Sequence, residues 1–192
     1  MALKKLYGSI KTSWSIYDSW CELLAGTRFL LDILETQDGN KIKRINLLRL
    51  VVVSSFQMVE VMLFTQLKRY IDDQPESTRR LFSYDLKRRI NFQKAIRKWP
   101  EVLTGRKLDF GAEPMQSMKE LASIRNSAIH HTAEYPKVNI GESALYTAIE
   151  ASKEIYNHFN KNGWKNSNYI NFVNDNQPKT KIFLLKVLGN HK

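Results

Sequence analysis

The stretch from Lys43 to Ile71 constrains the fold of this chain more than any other. Between Leu47 and Leu67 it is apolar nearly all round a helical wheel, so other elements have to enclose it. Val51-Val52-Val53 by itself would suit a strand, but buried strands rarely exceed about eight residues, and length decides for a helix. A central, most buried helix calls for amphipathic partners, and the rest of the chain supplies them. Residues Ser9 to Glu35 read as a first helix with Ile10, Trp14, Tyr17, Cys21, Leu24 and Leu31 on one stripe, ended by the turn Gln37-Asp-Gly-Asn-Lys41. Thr78 to Leu103 reads as a third helix burying Phe92, Ile96, Trp99 and Leu103, with Pro100 a point where it kinks or stops.

Pro114 suits the first position of a fourth helix, in which Met115, Met118, Ala122, Arg125 and Ile129 recur at helical spacing before Tyr135-Pro136 closes it. A fifth runs from Gly141 to Asn160, with Leu145, Ile149, Ser152, Tyr156 and Phe159 inward. The expected fold is therefore all-α, an antiparallel four- to five-helix bundle over residues 1–162. Residues 163–192 form a C-terminal extension of different composition, rich in Asn, Lys and aromatics. Tyr169–Val173 and Ile182–Val187 flank Asn174-Asp-Asn-Gln-Pro178, a pattern for a small β-hairpin; a short final helix over Lys181–Leu188 is the alternative.

Composition excludes several classes. With 43% hydrophobic and 26% charged residues in 192, the chain can bury a proper core and is not disordered. The single cysteine, Cys21, lies in the first helical run, reads as a core residue, and permits no intrachain disulfide, which suits a reducing cytoplasm. The N-terminus lacks an apolar secretion core and no run approaches 18 apolar residues, so neither secretion nor membrane spanning is expected. No glycine-rich phosphate loop or metal-spaced Cys/His cluster is present. His130 and His131 are adjacent, poor geometry for two ligands on one helix, and His158 and His191 have no motif around them. No metal or cofactor is expected.

The net charge of +11 points to a polyanionic partner such as nucleic acid. Between Lys68 and Lys107 there are 12 lysines and arginines against 5 acidic residues, so one fifth of the chain carries most of the excess. On a continuous third helix Lys87, Asn91, Lys94 and Lys98 fall at i, i+4, i+7 and i+11, flanked by Arg88 and Arg97, a ridge suited to tracking phosphates. Two further charges stand out because they lie on apolar stripes. Glu60 shares one with Val53, Phe56, Phe64 and Leu67, and Arg125 shares the other with Met118 and Ala122. Each needs a partner. Either Glu60 orients the Arg125 guanidinium, or it pairs elsewhere or reaches solvent.

His130 lies on another stripe, with Lys119, Ser123 and Asn126. Five residues rotate an ideal helix by roughly 140°, so Arg125 and His130 serve one site only through a local distortion or across a seam between two copies. The string Arg125-Asn126-Ser127-Ala128-Ile129-His130 resembles the signature of the HEPN family, an arginine and a histidine four to six residues apart with a polar residue after the arginine. The resemblance implies a helical bundle, usually dimeric, and in many members a metal-independent RNA endonuclease, including toxins and antiviral-defence enzymes controlled by an antitoxin or other regulatory protein. The toxin branch modified by a nucleotidyltransferase often carries a tyrosine two residues after the histidine; Thr132 stands there in this chain.

The residue types fit that chemistry. Histidine titrates near neutrality and suits proton transfer from a 2′-hydroxyl. Arginine offers the phosphate a permanent charge and a bidentate fork. Asn126, four residues before His130, can orient the imidazole or a phosphate oxygen. The expected product is a 2′,3′-cyclic phosphate, and DNA should resist. The rival expectations are a non-catalytic HEPN module that binds RNA or a partner protein, and a helical DNA-binding regulator, for which no clear helix-turn-helix exists.

Overall fold

The computed structural model describes residues 18–37, 41–88, 90–129 and 138–189, and among them the chain is all-helical without a strand. The first described helix, α1 (Ser19–Thr36), covers the later part of the expected Ser9–Glu35 run. Asp18 is extended (φ −67°, ψ 129°) and its carboxylate accepts the Trp20 N–H at 2.9 Å, so it caps the helix instead of continuing it. The expected start at Ser9 lies outside the described residues. The central helix α2 (Lys41–Ile71) buries Leu48, Val51, Val52, Phe56, Val59, Leu63 and Leu67. It packs chiefly on α1 and on a later helix (Val138–Phe159). By length and composition alone α2 is long and apolar enough to cross a membrane, and half of its most apolar window is buried in the bundle.

The expected third helix is two helices, α3 (Glu76–Lys87) and α4 (Phe92–Thr104). Asn91 makes the break. Its backbone is extended (φ −74°, ψ 157°) and its side-chain oxygen accepts the Lys94 N–H at 2.9 Å. A capping asparagine offers the backbone an alternative to helix continuation, and here the alternative prevails. Pro100 lies buried inside α4, which runs on until Gly105 ends it in the left-handed region at φ 71°.

Helix α5 (Met115–Ile129) begins one residue later than expected, because the Pro114 carbonyl accepts the Met118 N–H at 3.0 Å and Pro114 stands outside the helix. Tyr135-Pro136 falls outside the described residues. Helix α6 (Val138–Phe159) crosses α1 and α2 at Gly141, where a Cβ would lie 2.9 Å from both Leu31 Cδ2 and Leu48 Cδ1. A buried ion pair crosses the same region: Arg28 Nη1 meets Glu142 Oε1 at 2.8 Å, and Arg28 Nη2 meets Asp32 at 2.8 Å.

The extension contains no hairpin. After a 3-10 turn at Trp164–Asn166 come two short helices, α7 (Tyr169–Asp175) and α8 (Leu184–Gly189). The final-helix alternative is the one adopted. The strand propensity of Tyr169, Ile170, Phe172 and Val173 yields to packing. Trp164 stacks on Tyr169 at 5.2 Å, and both meet the edge of Trp20, whose Nε1 donates to Ser152 Oγ at 3.0 Å. Side chains of the bundle tie the remainder: Glu142 accepts the Lys179 N–H at 2.8 Å, Thr147 Oγ1 the Leu184 N–H at 3.1 Å, and Ser117 Oγ the Leu185 N–H at 3.1 Å. Trp164, Tyr169, Val173 and Leu184 thereby belong to the same core as the bundle helices.

Candidate functional site

Helix α5 separates two environments. Met115, Met118, Leu121 and Ala122 are buried, whereas Lys119, Ser123 and Asn126 face solvent. Arg125 lies at the boundary, half-buried. Its guanidinium carbon sits 5.3 Å from the centroid of the Phe56 ring on α2, and Nη1 donates to Asn126 Oδ1 at 3.1 Å. The buried Nε has no hydrogen-bond partner. Such a donor is costly to leave unmade, and it lies on the fork with which arginine grips an oxyanion.

Glu60 is the nearby acid. Burial pushes its carboxyl above the usual range, and the positive charge of Arg125 acts in the opposite direction. The two do not close into a salt bridge at 4.0 Å or less. The expected contact is thus a longer-range attraction, because Arg125 is held over Phe56 and turned toward Asn126. Sequence reasoning gives Phe56 only a place on the apolar stripe of Glu60; its position one turn before Glu60 was the available signal for a contact with Arg125. His130, His131 and Thr132 lie outside the described residues. The stripe to which the sequence assigns His130 is the exposed one of Lys119, Ser123 and Asn126.

The basic residues are brought together in another form than a ridge on one helix. Where α3 breaks into α4, an open cleft of about 640 Å3 is lined by Asp85, Arg88, Ile90, Asn91, Lys94, Arg97 and Lys98. Lys87 is not part of its wall. Lys98 bonds Asp85 at 2.7 Å and lies 4.8 Å from the Trp99 ring, whose Nε1 also donates to Asp85 at 3.2 Å. Among the described residues that leaves Arg88, Lys94 and Arg97 as the cleft's cations outside an ion pair. The cleft and Arg125 share one aromatic support: Phe92, first residue of α4, meets Phe56 edge-on at 5.0 Å, and Phe56 carries Arg125.

Two other candidates are structural. The Cys21 thiol is buried, and burial with Asp18 nearby pushes it up to about 11, away from nucleophile chemistry. His158 Nε2 lies 2.9 Å from Thr104 Oγ1, and burial together with Arg106 holds its pKa below the ordinary value. Among the described residues no group of three or more His, Cys, Asp or Glu is placed to hold a metal ion. Compared with family models, with curated proteins and with solved structures, the chain matches none.

Proposed function

We propose that this chain is a metal-independent RNA endonuclease of the HEPN type, cytoplasmic and homodimeric, of the toxin or antiviral-defence kind. The observation that carries the reading is Arg125: a half-buried guanidinium with an unpartnered Nε, seated on an aromatic ring, beside the exposed amide of Asn126. A phosphate oxygen is the partner that such a fork accepts, and the Arg88, Lys94 and Arg97 cleft supplies charge for the flanking backbone.

In this reading His130 takes the proton from the RNA 2′-hydroxyl, and the 2′-oxygen forms a bond to phosphorus. Arg125 holds the charge that develops on the phosphate oxygens. The bond to the 5′-oxygen breaks, that oxygen gains a proton, and a 2′,3′-cyclic phosphate remains. A two-fold dimer brings two His130 side chains to one seam, so that one accepts a proton while the other gives one. Glu60 biases the guanidinium at a distance, and Asn126 orients it.

The test is incubation of the purified protein with total RNA in the presence and absence of EDTA. Cleavage should survive EDTA, leave cyclic phosphate ends, spare DNA, and vanish in His130→Ala. Activity lost in EDTA and restored by magnesium would sink the mechanism. Binding without cutting would make the chain a non-catalytic RNA-binding module.

A further inference from the structure

A second hollow opens beside the basic cleft, and Arg97 lines both. Its volume is about 270 Å3 and its other walls are Glu101, Lys107, Leu108 and Phe110. Lys94, Arg97 and Glu101 follow one another along α4 at i, i+3 and i+7, so the helix leads from the cleft into the hollow on one face.

The hollow is built from a pinned loop. Gly105 turns the chain out of α4, Thr104 Oγ1 accepts the Arg106 N–H at 3.3 Å, and Arg106 Nη2 donates to the His158 carbonyl at 2.9 Å. Leu108 is buried beneath. Lys119 Nζ from α5 donates to the Phe110 carbonyl at 2.8 Å and lies 5.5 Å from its ring centroid. Phe110 therefore presents a half-buried ring whose position is already fixed. Glu101 lines the same hollow, with Lys107 Nζ 3.6 Å from one carboxylate oxygen and acceptor lone pairs left over.

We propose that this hollow is a nucleobase pocket for single-stranded RNA, selective for guanine. The proposal rests on the RNA reading above and goes beyond it by naming the base. Phosphates run through the cleft of Arg88, Lys94 and Arg97, and one base leaves the strand to stack on Phe110. A duplex keeps its bases paired and cannot supply one. The Glu101 carboxylate has two acceptor oxygens and no donor, so it suits an edge with two adjacent donors. Guanine offers N1–H and N2–H there. Adenine and cytosine each set an acceptor beside their amine, and uracil flanks its single N–H with two carbonyls.

The test uses the full chain and 2′-O-methyl octanucleotides, which lack the free 2′-hydroxyl and cannot be cut. Each is uridine throughout except for one central G, A, C or U, and affinity is read by fluorescence anisotropy. The G oligomer should bind about tenfold tighter than the other three. Phe110→Ala should weaken the G oligomer by about tenfold. Glu101→Gln, an exposed and isosteric change, should abolish the preference for G over the other three bases, read as a ratio of affinities so that the general gain from removing a negative charge cancels. Equal affinities for the four bases in the native chain, or a G preference that survives Glu101→Gln, would overturn the pocket. RNA cleavage that continues with equal base affinities would remove the pocket and leave the nuclease standing. G-selective binding with no cleavage would do the reverse.

Discussion

Replacing Arg125 by alanine should hurt catalysis far more than stability, and the structure sets both magnitudes. The guanidinium's contact with Phe56 is worth about 1 kcal/mol. Its bond to the exposed Asn126 adds about 0.5 kcal/mol. Attraction to Glu60 is bounded by separation: beyond 4.0 Å it falls below about 4 kcal/mol at an effective dielectric of roughly 20, and partial exposure reduces it to about 1 kcal/mol. Against these, truncation removes a buried N–H without a partner, a relief of about 1 kcal/mol. The sum is a loss of about 1–2 kcal/mol, whereas breaking a closed, buried ion pair costs about 3–5 kcal/mol. Single-turnover cleavage, by contrast, should fall about a hundred- to a thousandfold, the cost of removing one preorganised oxyanion donor. Arg125→Lys should recover the stability and little of the rate, since an ammonium lacks the fork. Urea unfolding and single-turnover cleavage of a defined RNA read the two quantities separately. A stability loss above about 3 kcal/mol would show that Glu60 and Arg125 close in solution, and cleavage undiminished in Arg125→Ala would remove the arginine from the chemistry.

Three other perturbations have clear signs. Changing Arg88, Lys94 and Arg97 together to Gln should lower the slope of log affinity against log salt by about 2 for a single strand, while Lys87→Gln, outside the cleft, should leave it unchanged; equal effects would mean that the cleft is not the phosphate track. Glu142→Ala strands both Arg28 Nη1 and the Lys179 N–H and should cost about 3–5 kcal/mol in urea unfolding, because each side chain of the ion pair is only 10% exposed; a loss under about 1 kcal/mol would show that water replaces the carboxylate. His158 has a folded pKa below its ordinary 6.5, through burial first and Arg106 second, so its contribution to stability is complete above pH 6.5 and is lost as pH falls through the lower folded value. His158→Gln should flatten that acid-side fall in a pH series of thermal melts, and an unchanged slope would place the titration elsewhere.

Several of these features are legible in the residues. The run from Leu47 to Leu67 announced the central helix, whose Leu48, Val52, Phe56, Val59 and Leu63 are buried while Leu50 stays 52% exposed. Hydrophobic spacing set Arg125 on the apolar stripe and Asn126 on the polar one; Asn126 is exposed, whereas Arg125 is only half-buried. The broken third helix was less legible: Asn91 and Lys94 fit a continuous helix by spacing, and only the competition between a side-chain cap and the next backbone bond decides against it. The extension misled for the opposite reason. Its aromatic and β-branched residues favour strands locally, but Trp164 and Tyr169 find their partner in Trp20, nearly 150 positions away, and no local pattern records such a contact. The cleft and the Phe110 hollow arise from where α4 begins and how the following loop is tied, so neither could be read before those boundaries were known.

Gly141 restricts how this sequence can drift. Any other residue there brings a Cβ to 2.9 Å from methyl groups of Leu31 and Leu48, each only 2% exposed and so without room to turn aside. Overpacking of this kind costs about 1–3 kcal/mol, which exceeds or cancels the roughly 1 kcal/mol that alanine gains over glycine in a helix. The single step to alanine therefore nets a cost of about 0–2 kcal/mol on its own, set by how far the two leucine side chains can shift. That cost falls when position 31 or 48 is smaller, and a smaller residue there leaves a void that a side chain at 141 can fill. The three sites are therefore coupled: alanine at 141 should be tolerated better where the side chain at 31 or 48 is shortened than where both leucines remain.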